Sequence, residues 1–169
     1  MHIENYLDKT PTIEKSAKIF QGANVIGDVT LGKNVGIWYN VTLRGDMAPI
    51  TIGDNTNIQD HTVVHTDLNM PTTIGKNVTV GHMAIIHAAT VHDEALIGMG
   101  SIILDGAVIG KNALVAAGTV VPPGKTVPER TLVMGNPMRI VKELSDEAIQ
   151  DILRNKDYYV KLIADYNKL

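Results

Sequence analysis

The chain has no cysteine. Disulfides, thiolate metal ligands and cysteine nucleophiles are therefore excluded, and the composition suits a reducing compartment. Aromatic residues are scarce: one Phe, one Trp and five Tyr among 169 residues. A bulky core normally leans on Phe and Leu, so this core must be assembled in thin layers from smaller side chains. No run of Lys or Arg stands out, and 15 basic against 18 acidic residues leave a formal net charge of -3. A nucleic-acid surface is not expected from that balance. No stretch approaches the ~20 apolar residues that cross a bilayer. The opening MHIENYLDKTPTIEKSAKIF holds no apolar signal core. The protein is expected to be soluble, unexported and cytoplasmic, with no membrane partner.

Val, Ile, Thr and Gly are plentiful instead, and they recur with a period. Apolar residues stand six apart at Ile19, Val25, Leu31, Ile37 and Leu43. The beat resumes at Ile52, Ile58 and Val64, then at Ile74, Val80 and Ile86. It runs again through Val91, Ile97, Ile103, Ile109, Val115, Val121, Val127 and Val133. A period of six fits neither the 3.6-residue helix nor the alternation of a half-buried strand. It is the signature of a hexapeptide β-helix. Each hexad supplies one short side and one corner. The β-branched residue points inward, and Gly or Asn accepts the corner dihedrals. Three hexads make a triangular coil, and coils stack at roughly 4.8 Å.

The beat breaks in three places. Extra residues fall around Met47-Ala48-Pro49 and around Leu68–Pro71, and one residue is missing between Ile86 and Val91. Residues 1–18 carry no legible beat and read as a lead-in cap. Near Gly135-Asn136-Pro137 the repeat stops. Residues 1–143 are thus assigned to the β-helix, and 144–169 to a helix packed along it. Ser145 is its N-cap, Asp146 and Glu147 suit its first turn, and Ile149, Ile152, Leu153, Tyr159, Val160, Ile163 and Tyr166 form its apolar stripe.

Numbering each hexad from its apolar residue places the polar side chains. His65 and His87 are both second in their hexads, one coil apart, and Arg44 is second one coil earlier. These three share a column. Asp60 and His82 are both third, one coil apart, on another side of the triangle, with Gln59 beside Asp60. Stacked imidazoles can share a metal, but a site needs a third ligand. His82 lies on another side, so the geometry suggests that it reaches the column of a neighbouring copy about a threefold axis. All three breaks in the beat lie in or beside this polar stretch, as expected where a regular scaffold yields to function.

The ladder, the Arg44-Gly45-Asp46 turn, Gln59-Asp60 and the series His65, His82, His87 together resemble the γ-class carbonic anhydrase family. The resemblance covers almost the whole chain. It implies a left-handed parallel β-helix with a C-terminal α-helix, assembled as a homotrimer. It further implies that His65 and His87 of one subunit and His82 of the next bind Zn²⁺, with Fe²⁺ or Co²⁺ as substitutes. In that family pattern Arg44 pairs with Asp60 across the interface, and Asp46 belongs to the same network. Gln59 faces the metal-bound water, and Asn155 and Tyr159 match an N-x-x-x-Tyr pattern whose Tyr approaches the site. Three neutral imidazoles leave the ion dipositive, able to make water nucleophilic towards CO₂ near neutral pH and give bicarbonate. One departure concerns the proton. Met47 stands where the family's archaeal form has a glutamate, and the 66–73 loop has a single acid, Asp67. Two other functions share the fold. A hexapeptide acyltransferase would use an acyl-CoA at the Gly135-Asn136-Pro137-Met138-Arg139 turn with one histidine as base. A trimeric metal-binding scaffold would keep the site without turnover.

Overall fold

Each hexad becomes a strand of two or three residues with its β-branched residue turned inward. Ile102–Ile103, Val108–Ile109 and Leu114–Val115 are successive examples, one on each side of a triangular prism. Their inward residues Ile103, Ile109 and Val115 are fully buried. The computed structural model describes residues 1–166 and 168. It is a parallel β-helix of hexapeptide repeats followed by one helix, Asp146–Tyr166. The fold class read from the beat is the one observed.

Every coil lies in parallel register with the coils above and below. Ile103 pairs with Ile86 and Val121, Ile109 with Val91 and Val127, and Val115 with Ile97 and Val133. Like side chains therefore sit on like side chains, and the core is a set of aliphatic stacks. The backbone N–H and C=O groups of these parallel rungs are paired from coil to coil, as buried parallel strands require.

The three faces differ in what they present outward. We call them A, B and C in chain order within a coil. Face B carries Thr12, Thr30, Thr51, Thr73, Thr90, Val108 and Thr126 in one registered column. That column is polar and suits solvent. Face C carries Leu96, Leu114 and Leu132. The helix covers them with Ile149, Ile152 and the preceding Leu144. Lower on face C, Phe20 stacks on Trp38 at 4.4 Å and Tyr159 meets Trp38 edge-on at 5.4 Å. Face A carries Val63, Ile85, Ile102 and Val120. Val63 and Ile85 remain 40% and 38% exposed, and no element of the chain covers this apolar column among the described residues.

Corners hold left-handed residues. Asn34, Asn55 and Asn77 have φ of 54°, 58° and 58°. Their side chains hydrogen-bond in series, Asn34 Nδ2 to Asn55 Oδ1 at 3.0 Å and Asn55 Nδ2 to Asn77 Oδ1 at 3.2 Å. Asn tolerates this region because its short polar side chain bonds locally. The helix begins as expected: Ser145 Oγ accepts the Ala148 N–H at 3.2 Å. The helical tract assigned to 144–169 includes residues 167 and 169, which lie outside the described residues.

The irregular stretches project from the corner between faces A and B and leave the coil count intact. Leu43, Val64 and Ile86 stay aligned on one side of that corner, and Ile52, Ile74 and Val91 on the other. The first 18 residues, where no beat was legible, are already in register: Ile3 pairs with Val25 and Ile13 with Leu31. A loop closed by the Tyr6–Lys9 bridge separates Ile3 from Ile13, just as the Asp67–Met70 bridge closes the loop between Val64 and Ile74. The loop hides the period.

This division of faces predicts unequal tolerance. Ile97→Ala, in a fully buried stack, should destabilise by about 2–5 kcal/mol. Thr73→Val on face B should stay within about 0.5 kcal/mol. Urea unfolding of the metal-free protein measures both.

Candidate metal centre

The register brings three polar residues into one column at the rim of face A. Arg44, His65 and His87 are Cα partners in successive coils. Each follows a fully buried residue, Leu43, Val64 or Ile86, so each must turn outward. His65 Nδ1 lies 3.0 Å from His87 Nε2. The other nitrogen of each ring is held by a carboxylate. His65 Nε2 lies 3.1 Å from Asp46 Oδ1, and His87 Nδ1 pairs with Asp105 Oδ1. Arg44 in turn pairs with the second oxygen of Asp46.

These partners decide the tautomers. An ionised carboxylate only accepts, so His65 donates from Nε2 and His87 from Nδ1. When both rings are neutral, the remaining nitrogens, His65 Nδ1 and His87 Nε2, face each other as lone pairs, a contact that a proton or a metal cation between them satisfies. Two acceptors at 3.0 Å call for a cation between them. A divalent ion at the usual metal–nitrogen distance of about 2.0–2.1 Å from both would fit there. Carboxylate-oriented imidazoles are also the ordinary support of such ions. The donor set fits a metal such as Zn²⁺, which takes neutral imidazole readily.

His82 stands elsewhere. The face C rungs Asn57–Ile58 and Thr79–Val80 are paired in register, and two residues beyond them Asp60 and His82 meet, with His82 Nδ1 2.7 Å from Asp60 Oδ2. The same acceptor logic leaves His82 Nε2 bare. Within one chain, no group of three His, Asp or Glu is close enough to hold a metal among the described residues. The structure thus brings His65 and His87 together and keeps His82 apart from them. Arg44 and Asp60 are likewise separate within the chain, each paired as above with Asp46 and His82.

His82 shares a cavity of about 320 Å³ with Gln59, Asn155 and Tyr159. The cavity lies between face C and the helix, with Gly81 and Gly98 in its wall. A Cβ at Gly98 would stand 2.4 Å from the Ala117 backbone N, so the backbone itself forms that wall. Gln59 is buried, and its Nε2 donates to Asn57 Oδ1 at 3.1 Å. Burial pushes the Tyr159 hydroxyl above its ordinary pKa, and the charge of Asp60 adds to this, against a smaller opposing hydrogen bond with Gln59. Tyr159 is therefore a neutral phenol at physiological pH. Two residues of the helix, Asn155 and Tyr159, and two of the ladder, Gln59 and His82, thus line one cavity.

Asp105 is the contact the sequence reading missed. It is third in the Ile103 hexad, one coil above Ala88, and its offset from His87 gave no hint of a shared position. Lys9 was also missed; its Nζ donates to the Asp46 carbonyl at 2.7 Å from the first-coil loop. Met47 is 41% exposed beside Asp46. Asp67 spends its carboxylate on its own loop, accepting the Leu68 N–H at 2.7 Å.

Ladder and site together define a hexapeptide-repeat protein with a carboxylate-supported histidine centre. Comparison with known proteins supports the hexapeptide ladder. The bacterial transferase hexapeptide model, of six repeats, matches residues 88–123. A carbonic anhydrase of Geobacillus kaustophilus is 47% identical, with 97% of this chain and 90% of that protein covered. The mitochondrial γ carbonic anhydrase 2 of Arabidopsis thaliana is 44% identical over 94% of this chain, which spans 59% of that relative's length. A Bacillus cereus crystal structure, provisionally described as an acetyltransferase, has a TM-score of 0.97 at 41% identity, covering 99% of this chain and 97% of that one. The chain belongs to the γ-class carbonic anhydrase family. No helix among the described residues is long and apolar enough to cross a membrane.

The Asp46 network carries a pH signature. Burial alone would raise the Asp46 pKa, but hydrogen bonds from Arg44 and His65 and the Arg44 charge outweigh it, so the net shift is downward. A depressed carboxylate stabilises the fold above its unfolded value of about 3.9 and loses that contribution as pH falls through its folded value. Asp46→Asn should therefore lower the thermal midpoint of metal-free protein at pH 7. The gap to wild type should close as pH falls below about 4, read by melting curves across pH.

Proposed function

We propose that the protein is a metal-dependent carbonic anhydrase, acting as a homotrimer with its metal centres between subunits. His65 and His87 of one subunit and His82 of the partner subunit would hold Zn²⁺, with Fe²⁺ or Co²⁺ as alternatives. The observation that carries this reading is the pair of imidazole nitrogens, His65 Nδ1 and His87 Nε2, 3.0 Å apart at the rim of an apolar face that no element covers among the described residues. A second copy seated on face A would bury Val63 and Ile85 and deliver the missing ligand. The cytoplasm is the proposed location, in keeping with a chain free of cysteine.

The residues divide the work. Asp46 holds His65 with Arg44 behind it, and Asp60 holds His82 through Nδ1 so that Nε2 is presented. When bound, the divalent metal supplies Lewis acidity that makes water a nucleophile near neutral pH. Gln59 and Tyr159, both neutral and part of one cavity with His82, offer hydrogen bonds that orient water and bicarbonate without adding charge. Asn155 lines the same cavity and would fix the bicarbonate oxygens. The apolar side chains of face A exclude water from the CO₂ seat once the copies meet. Hydration of CO₂ releases one proton per bicarbonate. Met47 has no titratable group and Asp67 is committed to its own loop, so the proton would leave through solvent buffer.

A second reading has one observation in its favour. The Gly135-Asn136-Pro137 turn frames a cavity of about 530 Å³ with Arg139 and Ile140 at the end of the ladder. An acyl-CoA phosphate could meet Arg139 there, and the Bacillus cereus neighbour carries an acetyltransferase description. A metal-holding scaffold without turnover is the remaining alternative.

Metal content and mass in solution separate these readings. Anaerobically purified wild type should be a trimer with about one divalent metal per subunit, because each subunit contributes one full set of ligands. His82→Ala should lose the metal. In stopped-flow assays the loaded wild type should hydrate CO₂ faster as buffer concentration rises. Wild type that takes up no zinc, or that binds acetyl-CoA instead, sinks the proposal, and a loaded trimer without turnover leaves the scaffold. Ile85→Arg on face A should yield metal-poor monomers by light scattering.

A further inference from the structure

Each histidine of the candidate centre is paired with a different carboxylate, and one pair stands outside the family pattern used above. Asp105 follows the face A rung Ile102–Ile103, one coil above His87. Its Oδ1 meets His87 Nδ1. The corner at Gly106 is left-handed, with φ of 68°, and a Cβ there would lie 3.8 Å from Met70 Cε. The end of the Met70 side chain thus comes close to the turn that carries Asp105. Side chains at this pair are part-buried, 31% exposed for His87 and 39% for Asp105.

We propose that Asp105 is a positioning residue: its carboxylate accepts a hydrogen bond from His87 Nδ1–H, so the ring keeps its proton on Nδ1 and leaves Nε2 unprotonated and aimed at the His65 ring. The inference rests on the reading of His65 and His87 as metal ligands, because presenting Nε2 has a purpose only there. Without the carboxylate, His87 is free to carry its proton on Nε2. That proton would point at His65 Nδ1, 3.0 Å away, and the two rings would close on each other through a hydrogen bond. The site would then satisfy itself and exclude the ion. Asp105 therefore chooses between an imidazole pair open to a cation and one that is locked. Asp46 makes the corresponding choice on His65, but with Arg44 fixing it from behind. The outer partners of metal-binding imidazoles commonly govern affinity by 10–100-fold.

The test uses full-length protein and two readouts. Long-range proton–nitrogen NMR correlation on histidine-labelled, metal-free wild type at pH 8 reads the His87 tautomer directly. Protonated Nδ1 with unprotonated Nε2 is expected, and Asp105→Ala should move the proton to Nε2. Zinc competition against a chromogenic chelator should then show affinity weakened about 10–100-fold in Asp105→Ala, at an unchanged trimer mass. Wild-type His87 protonated on Nε2, or Asp105→Ala binding zinc as tightly as wild type, would overturn the proposal. Should Asp105→Ala not fold, the wild-type tautomer decides alone. Wild type that takes up no zinc fails the metal-centre reading, while the tautomer still reports on Asp105.

Discussion

Everything in this molecule depends on parallel stacking in exact one-coil register. The backbone of each inner coil is hydrogen-bonded to the coils on either side, and its rung residues have counterparts directly above and below. A slip of one residue would turn each buried aliphatic outward and each polar residue into the core. The aliphatic stacks therefore hold the register, and the register holds the site. His65 lies over His87 because Val64 lies over Ile86. Extra residues are accommodated only where they can leave the prism, at the corner between faces A and B, and there they gather around the histidines.

The three faces show how one scaffold serves three environments. Threonines give face B to water. Leucines on face C are sealed by the chain's own helix, which also carries Asn155 and Tyr159 into the cavity beside His82. Face A keeps Val63 and Ile85 partly bare, and the imidazole pair sits at its rim. The second copy of the chain proposed above would serve both the burial of this strip and the chemistry beside it.

A common electrostatic device runs through the candidate centre. Asp46, Asp60 and Asp105 each hold one ring nitrogen of His65, His82 and His87. Because an ionised carboxylate only accepts, each pairing leaves the opposite nitrogen as a lone pair. Three acidic groups thereby make three neutral donors for a cation while adding negative charge around it. Met47 carries no titratable group and the Asp67 carboxylate accepts a hydrogen bond within its own loop, so proton release is the step with least support from the chain itself.

The period of six determined the fold, since it matches neither a helix nor an alternating strand and is the signature of stacked hexapeptide coils, and it determined the His65–His87 column and the Asp60–His82 pair as soon as coils were counted. Ser145 marked the helix start, and the residues of the Arg-Gly-Asp turn and the Gln-Asp pair marked the family. Three matters were decided only in three dimensions. The first coil was hidden because the Tyr6–Lys9 loop stretches the interval between Ile3 and Ile13 beyond the beat. Asp105 was hidden because its hexad position differs from that of His87, and side-chain reach, not register, joins them. The uncovered state of face A was hidden because Val63 and Ile85 look, in sequence, like the leucines of face C. Only the path of the helix, which runs over one apolar column and not the other, distinguishes the column that the chain covers from the one left partly bare among the described residues.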